Sequence, residues 1–338
     1  MNTGLFSRFQ GVVLCVVLFL FCFFPVTAAP APEDPETYFN EGMQFNKERR
    51  FDEAIKKITR AVELSLESNK YHQALFLTYT QNRQGLLAIK VYKELAERYP
   101  KSAAVRYWLG RLYLESGKLP EAAKKFTEAS NLSPKDEHPL ISLGHVYYRM
   151  GRNREALAAY MKANRLSPHL AVVITGMGNI YYKQKDYPRA RKEYEEALKL
   201  DSSFEEARYN LSLIYEKQGE IDRAIKEWNF LLDADPNESK IRERLAWVYY
   251  QRGQYRDAVR EYSMLSQINQ NSSEIYFILG KSEVLLGAET NDSDERRELK
   301  KSAIEAFQHA VNFDPSNKEA RDYLNRLNSP VSAAARKK

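Results

Sequence analysis

From residue 35 onward, apolar and polar positions follow one another in short helical blocks, and the blocks recur every 34 residues. The stretch 103–136, AAVRYWLGRLYLESGKLPEAAKKFTEASNLSPKD, shows the pattern. Leu109, Leu112 and Tyr113 fall at i, i+3 and i+4, which places them on one face of a helix. Ala122, Ala123, Phe126 and Ala129 do the same beyond Gly117. Pro134 has no amide hydrogen to donate and marks the end of the second block. The unit is therefore two amphipathic helices split at a glycine turn, and the small Gly110 and Ala122 let the pair cross closely.

Register tests whether the period is chance. With Ala103 as position one, position eight reads Gly42, Phe76, Gly110, Gly144, Gly178, Ser212, Ala246 and Gly280. Position eleven reads Phe45, Tyr79, Tyr113, Tyr147, Tyr181, Tyr215 and Tyr249, and breaks at Glu283. Position twenty holds Ala54, Ala88, Ala122, Ala156, Ala190, Ala224 and Ala258 without a slip.

A 34-residue helix-turn-helix unit with these residues resembles the tetratricopeptide repeat. The resemblance implies an all-α, right-handed superhelical solenoid of some seventeen helices. Eight repeats begin at residues 35, 69, 103, 137, 171, 205, 239 and 273. The last runs to 317 because its position-twenty alanine, Ala303, comes eleven residues late. The inserted AETNDSDERRELKK offers Asp292 or Ser293 as an N-cap and reads as a short loop followed by an extension of the second helix. Residues 318–328 place Ala320, Tyr323, Leu324 and Leu327 on one stripe, a capping helix over the open end of the stack. Residues 329–338 read as a disordered tail.

The start of the chain breaks the pattern. Arg8, the apolar run Val12–Phe24, Pro25 and the small residues around Ala28 read as a secretory signal peptide over residues 1–28. The run is shorter than the ~20 residues needed to span a bilayer, so cleavage is expected and membrane attachment arises only if the signal is retained. Residues 29–34 form a proline-rich linker. Both cysteines, Cys15 and Cys22, lie in the apolar run, so the cleaved chain has neither disulfides nor thiol chemistry.

Composition narrows the function classes. The net charge of +6 comes from 51 basic residues interleaved with 45 acids, which argues against nucleic acid as a partner. No nucleophile triad, phosphate loop or HExxH motif occurs, so the chain is read as non-catalytic, with no cofactor. His138 and His145 sit seven residues apart on one helix, ~10 Å by the helical rise, too far for one metal ion.

What remains is surface. In the tetratricopeptide family the first helices of successive repeats line a concave groove, with positions two, five, six, nine, twelve and thirteen pointing in. Carried onto this chain, those positions give Tyr107 and Arg111 in repeat three, His145, Tyr148 and Arg149 in repeat four, and Asn179, Tyr182 and Lys183 in repeat five. They give Asn210 in repeat six and Lys240, Arg244, Trp247 and Tyr250 in repeat seven. The expected groove is aromatic and basic, suited to a peptide or a partner's helix. Asn179, Asn210, Lys240 and Arg244 also resemble part of the family's two-carboxylate clamp, although Thr175 replaces its first lysine. The resulting expectation is an exported scaffold, in a periplasm or cell envelope or in a eukaryotic secretory compartment, that binds proteins in its groove. The alternatives are a carboxylate-clamp co-chaperone and a non-catalytic subunit positioning an envelope enzyme.

Overall fold

The structure, a computed structural model, describes residues 33–329. The expected signal peptide over residues 1–28, most of the expected linker and the tail expected beyond residue 329 lie outside the described residues. Seventeen α-helices and no strands occur among the described residues. The helices fall into two compact units that part within one of them, between Ala88 and Ile89.

The first unit contains α1 (Pro35–Lys47), α2 (Phe51–Leu64), α3 (Asn69–Gln81) and the first turn of α4 (Gly85–Arg98). Asp34 caps α1, accepting from the amides of Glu36 and Thr37. Repeat one lacks its helix-ending proline, and Leu66 stands in that place. Buried His72 compensates: its Nε2 lies 2.7 Å from the Leu66 carbonyl oxygen, and burial pushes its pKa down to about 4, so the ring is neutral.

The second unit holds the rest of α4 and thirteen further helices. They are α5 (Ala103–Glu115), α6 (Leu119–Leu132), α7 (His138–Arg149), α8 (Asn153–Leu166), α9 (Ala171–Lys183), α10 (Tyr187–Leu200) and α11 (Glu205–Lys217). There follow α12 (Ile221–Ala234), α13 (Ser239–Gln251), α14 (Tyr255–Ile268), α15 (Ser273–Glu289), α16 (Ser293–Phe313) and α17 (Lys318–Asn328). From α5 to α17 each helix packs on the next, and α9 also touches α7 and α11, so the first helices of repeats four to six lie side by side.

The periodic residues explain the packing. Position-twenty alanines from Ala54 to Ala258 are fully buried where the two helices of a repeat cross. Position eight is small because an aromatic at position twenty-four lies against it. A Cβ on Gly144 would come within 2.6 Å of the Tyr160 ring, one on Gly178 within 2.6 Å of Tyr194, and one on Gly280 within 2.9 Å of Phe307. Position fifteen, the turn, takes a left-handed backbone in seven repeats: glycine in four, but Arg49, Arg83 and Lys185 in the others.

A second tie was not read from the sequence. Arginine at position four fastens three repeats to the turn before them. Arg106, Arg208 and Arg242 donate to the carbonyls of Pro100, Ser202 and Pro236 at 3.3, 2.5 and 2.6 Å. Each also pairs with a carboxylate on the repeat's second helix: Glu128 at 3.0 Å, Glu227 and Glu261.

Repeat eight departs from the expected loop-plus-extension. Gly287, at position fifteen, is helical, and α15 runs on to Glu289, four residues longer than the thirteen of α13. At 21 residues, α16 is seven longer than α14. The insertion thus lengthens both helices and leaves only residues 290–292 as a turn, closed by Asp292 accepting from the amides of Asp294 and Glu295. On α17, Ala320 and Leu324 bury against Phe307, and Tyr323 stacks on that ring at 4.8 Å.

Candidate peptide-binding surface

The first-helix layer of the second unit carries all the residues selected from the sequence, and the structure sorts them into three neighbourhoods. In repeat three, Tyr107 packs edge-on to Trp108 at 5.7 Å and tilts against Phe126, while the Arg111 guanidinium lies 4.8 Å over the Trp108 ring. This end is an aromatic wall with its cation folded onto it.

Repeats four to six form a polar hub. Asn179 Nδ2 donates to Glu206 Oε1 at 2.9 Å, and Asn179 Oδ1 accepts from Asn210 Nδ2 and from the Tyr194 hydroxyl, both at 2.8 Å. The Lys183 ammonium sits 5.0 Å over the Tyr148 ring. Burial, with Arg149 adding to it, lowers the His145 pKa, while the Glu206 carboxylate works against that change. Burial raises the Tyr148 and Tyr160 pKa values, and the same carboxylate adds to both. Glu206, itself exposed, is thus the anion whose charge bears on His145, Tyr148 and Tyr160 and which accepts from Asn179. His138 lies at the exposed start of α7, where its Nδ1 meets Asp136 Oδ1 at 2.8 Å. Asp136, Glu137 and His138 bring three ligand atoms within 4.8 Å of one another, but Asp136 also accepts the His138 amide, as an ordinary turn cap does.

Repeats six to eight enclose a pocket of about 430 Å³ between α11, α13, α14 and α15. Its walls are Tyr209, Glu216, Lys240, Glu243, Arg244, Trp247, Tyr262, Glu274 and Ile278. Arg244 Nη1 pairs with Glu216 Oε2 at 2.5 Å. Trp247 is 46% exposed, whereas Trp108 and Trp228 are buried. Its ring stacks on Tyr250 at 5.7 Å. Lys240 also borders a second pocket of about 420 Å³ whose lining includes Glu205, Glu206, Asp235 and Glu238.

Two corrections to the expected groove follow. It is aromatic but not basic: Glu206, Glu216, Glu243 and Glu274 stand among its cations. All four occupy positions two, five or twelve, so the positional rule that picked out Lys240 and Trp247 also contained them. In addition, the four clamp-like residues do not stand free together. Asn210 donates to Asn179, Asn179 donates to Glu206, and Arg244 is held by Glu216. Tyr160, Tyr194 and Tyr262 were missed because they belong to second helices; the Tyr160 ring passes between α7 and α9. A Cβ on Gly176 would come within 2.5 Å of the Tyr160 ring, so glycines at 144 and 176 leave the gap it fills.

No curated protein matches the sequence. Among solved structures the chain is similar to the Cut9–Hcn1 hetero-tetramer of APC/C, with a TM-score of 0.51 and 16% identity over 87% of this chain and 55% of that one. It is also similar to YrrB, described as a TPR protein with an unusual peptide-binding site, at TM-score 0.47 and 20% identity over 59% and 97% of the two chains. PilF of Pseudomonas aeruginosa aligns at TM-score 0.49 and 21% identity over 63% and 96%. Family profiles described as tetratricopeptide or TPR repeats match residues 74–137, 138–170, 178–219 and 215–272. Together with the helix pairs and their register, these matches make the chain a tetratricopeptide-repeat protein over residues 74–170 and 178–272.

Proposed function

We propose that the chain is an exported, non-catalytic scaffold that holds a segment of a partner protein against the first helices of repeats four to eight, in the assembly of a cell envelope. Tetratricopeptide repeats support a protein-interaction role, and the sequence of residues 1–28 supports export. One observation carries the binding surface: a half-exposed tryptophan, Trp247, lines a pocket of about 430 Å³ built by three successive first helices. An exposed indole backed by a stacked ring is the kind of anchor that dominates protein interfaces. Among the described residues, no helix is long and apolar enough to cross a membrane.

The test is site-specific crosslinking in cells. A photo-reactive phenylalanine analogue replaces Trp247 in one strain and exposed Lys226, on α12, in another. A discrete crosslinked partner from position 247 and none from 226 is the expected result. Equal or absent crosslinking at both positions defeats the reading, and recovery of the chain with residues 1–28 intact in the cytoplasm defeats its export.

A further inference from the structure

We infer that the pocket between the sixth, seventh and eighth repeats takes an arginine side chain of the partner segment. This rests on the groove reading and adds its chemistry. The donor and acceptor inventory of the pocket sets the argument. Arg244 is already paired, its Nη1 lying 2.5 Å from Glu216 Oε2. Glu243 and Glu274 have no ion pair among the described residues, and both carboxylates bear on the hydroxyl of Tyr262. Tyr262 is 2% exposed and lines the pocket, yet its hydroxyl makes no hydrogen bond among the described residues. The ring is buried, but the hydroxyl is not sealed in the core: it opens on the pocket, within reach of a ligand.

The groups open to a ligand are therefore two exposed carboxylates, which only accept, and a phenol that accepts as well as donates. A ligand group that only donates completes them. With Lys240 and Arg244 against Glu216, Glu243 and Glu274, the pocket carries an excess of negative charge, so the donor should be a cation. Lys240 also lines the adjoining pocket, together with Glu205, Glu206, Asp235 and Glu238. An incoming carboxylate would meet Glu243 and Glu274 as like charges.

Guanidinium suits the shape better than ammonium. Its planar fork of five N–H donors can bridge two carboxylates, and its face can lie on an indole. Trp247 supplies that indole: Tyr250 stacks on it at 5.7 Å with an interplanar angle of 22°, which fixes the ring and leaves 46% of the residue exposed.

Trp247 also makes the proposal measurable. The full chain is labelled with ¹⁵N-tryptophan, which gives indole N–H signals from Trp108, Trp228 and Trp247, assigned with Trp247→Phe. Capped pentapeptides Gly-Leu-Xaa-Leu-Gly, with Xaa arginine, lysine, citrulline or glutamate, are the probes. The arginine peptide should move the Trp247 signal with a Kd roughly tenfold below those of the citrulline and glutamate peptides, because only it forms charge-assisted bonds to both carboxylates. The Trp108 and Trp228 signals should stay fixed. In the Glu243→Gln, Glu274→Gln double variant, arginine and citrulline peptides should bind alike. Both positions are exposed, and unmoved Trp108 and Trp228 signals verify the variant's fold. A glutamate peptide that binds as well as the arginine peptide, an arginine preference that survives the double substitution, or no shift with any peptide overturns the arginine pocket. The groove reading is judged separately, by the crosslink from position 247.

Discussion

Raising the pH from 5 to 8 should loosen the eighth repeat, and Glu283→Gln should remove that response. Glu283 occupies position eleven, where the other repeats carry an aromatic, and it is 3% exposed. Its Oε1 accepts from the Ser302 hydroxyl at 2.5 Å, and its Oε2 is buried without a partner. Burial raises its pKa from an ordinary 4.5 to about 7, against the opposing Ser302 hydrogen bond and with a further push from Glu305. A carboxyl group raised on folding stabilises the native state fully below its unfolded value. That stabilisation is lost as the pH climbs through the folded value. The difference between 4.5 and about 7 corresponds to roughly 3 kcal/mol, of which about 2.5 kcal/mol falls between pH 5 and 8. Because repeats unfold locally, the assay is hydrogen exchange on peptides 273–289 and 302–313, with wild type and variant compared at the same pH. Protection of the wild type relative to Glu283→Gln should drop by roughly 70-fold from pH 5 to pH 8. A ratio that stays constant across that range would refute the buried-acid account.

Three further outcomes follow from the packing. Ala190→Leu should destabilise the second unit by about 1–3 kcal/mol, because Ala190 is fully buried at the helix crossing, whereas Lys192→Leu on the exposed face should change little; urea denaturation compares them. Lys185→Gly should raise stability by about 0.5–1 kcal/mol in the same assay, since Lys185 is held at φ 61° and glycine meets no Cβ penalty there. Glu261→Gln should cost about 3–5 kcal/mol by leaving the buried Arg242 guanidinium without its anion, and exchange protection of α13 should fall with it.

The helix pairs and their crossings were legible because each repeat states the same contact in the same register. An alanine at position twenty and a small residue at position eight, each in seven repeats, leave no alternative packing that satisfies every copy at once. Repeat eight was misread for a local reason: a glycine can end a helix or sit inside one, and Gly287 gives no sign of which. The helix continues there until Thr290 and Asp292 supply a turn and a cap. Glu283 announced itself as the single break at position eleven, although its burial required the lengthened α16 to be seen beside it. The arginines at position four were invisible as a group, because their carbonyl partners belong to the preceding turn.

The groove floor shows where period ends and chemistry begins. Position twenty-four is aromatic from repeat two onward, as Tyr92, Phe126, Tyr160, Tyr194, Trp228, Tyr262 and, after the insertion, Phe307, and all seven are buried. Any of these rings satisfies the crossing, since what the fold needs there is bulk opposite a small residue. Only the tyrosines among them carry a hydroxyl that can serve a second role. The Tyr194 hydroxyl is committed to Asn179, and the Tyr262 hydroxyl faces the pocket below Trp247. Phenylalanine at 262 would therefore keep the packing and delete an acceptor, which separates the two roles of one side chain. If the arginine pocket is correct, Tyr262→Phe should leave unfolding unchanged and weaken the arginine pentapeptide by several-fold, in line with the loss of one hydrogen bond to a charged group. Equal binding by Tyr262→Phe and wild type would mean that the hydroxyl is idle and that Glu243, Glu274 and Trp247 must account for recognition alone.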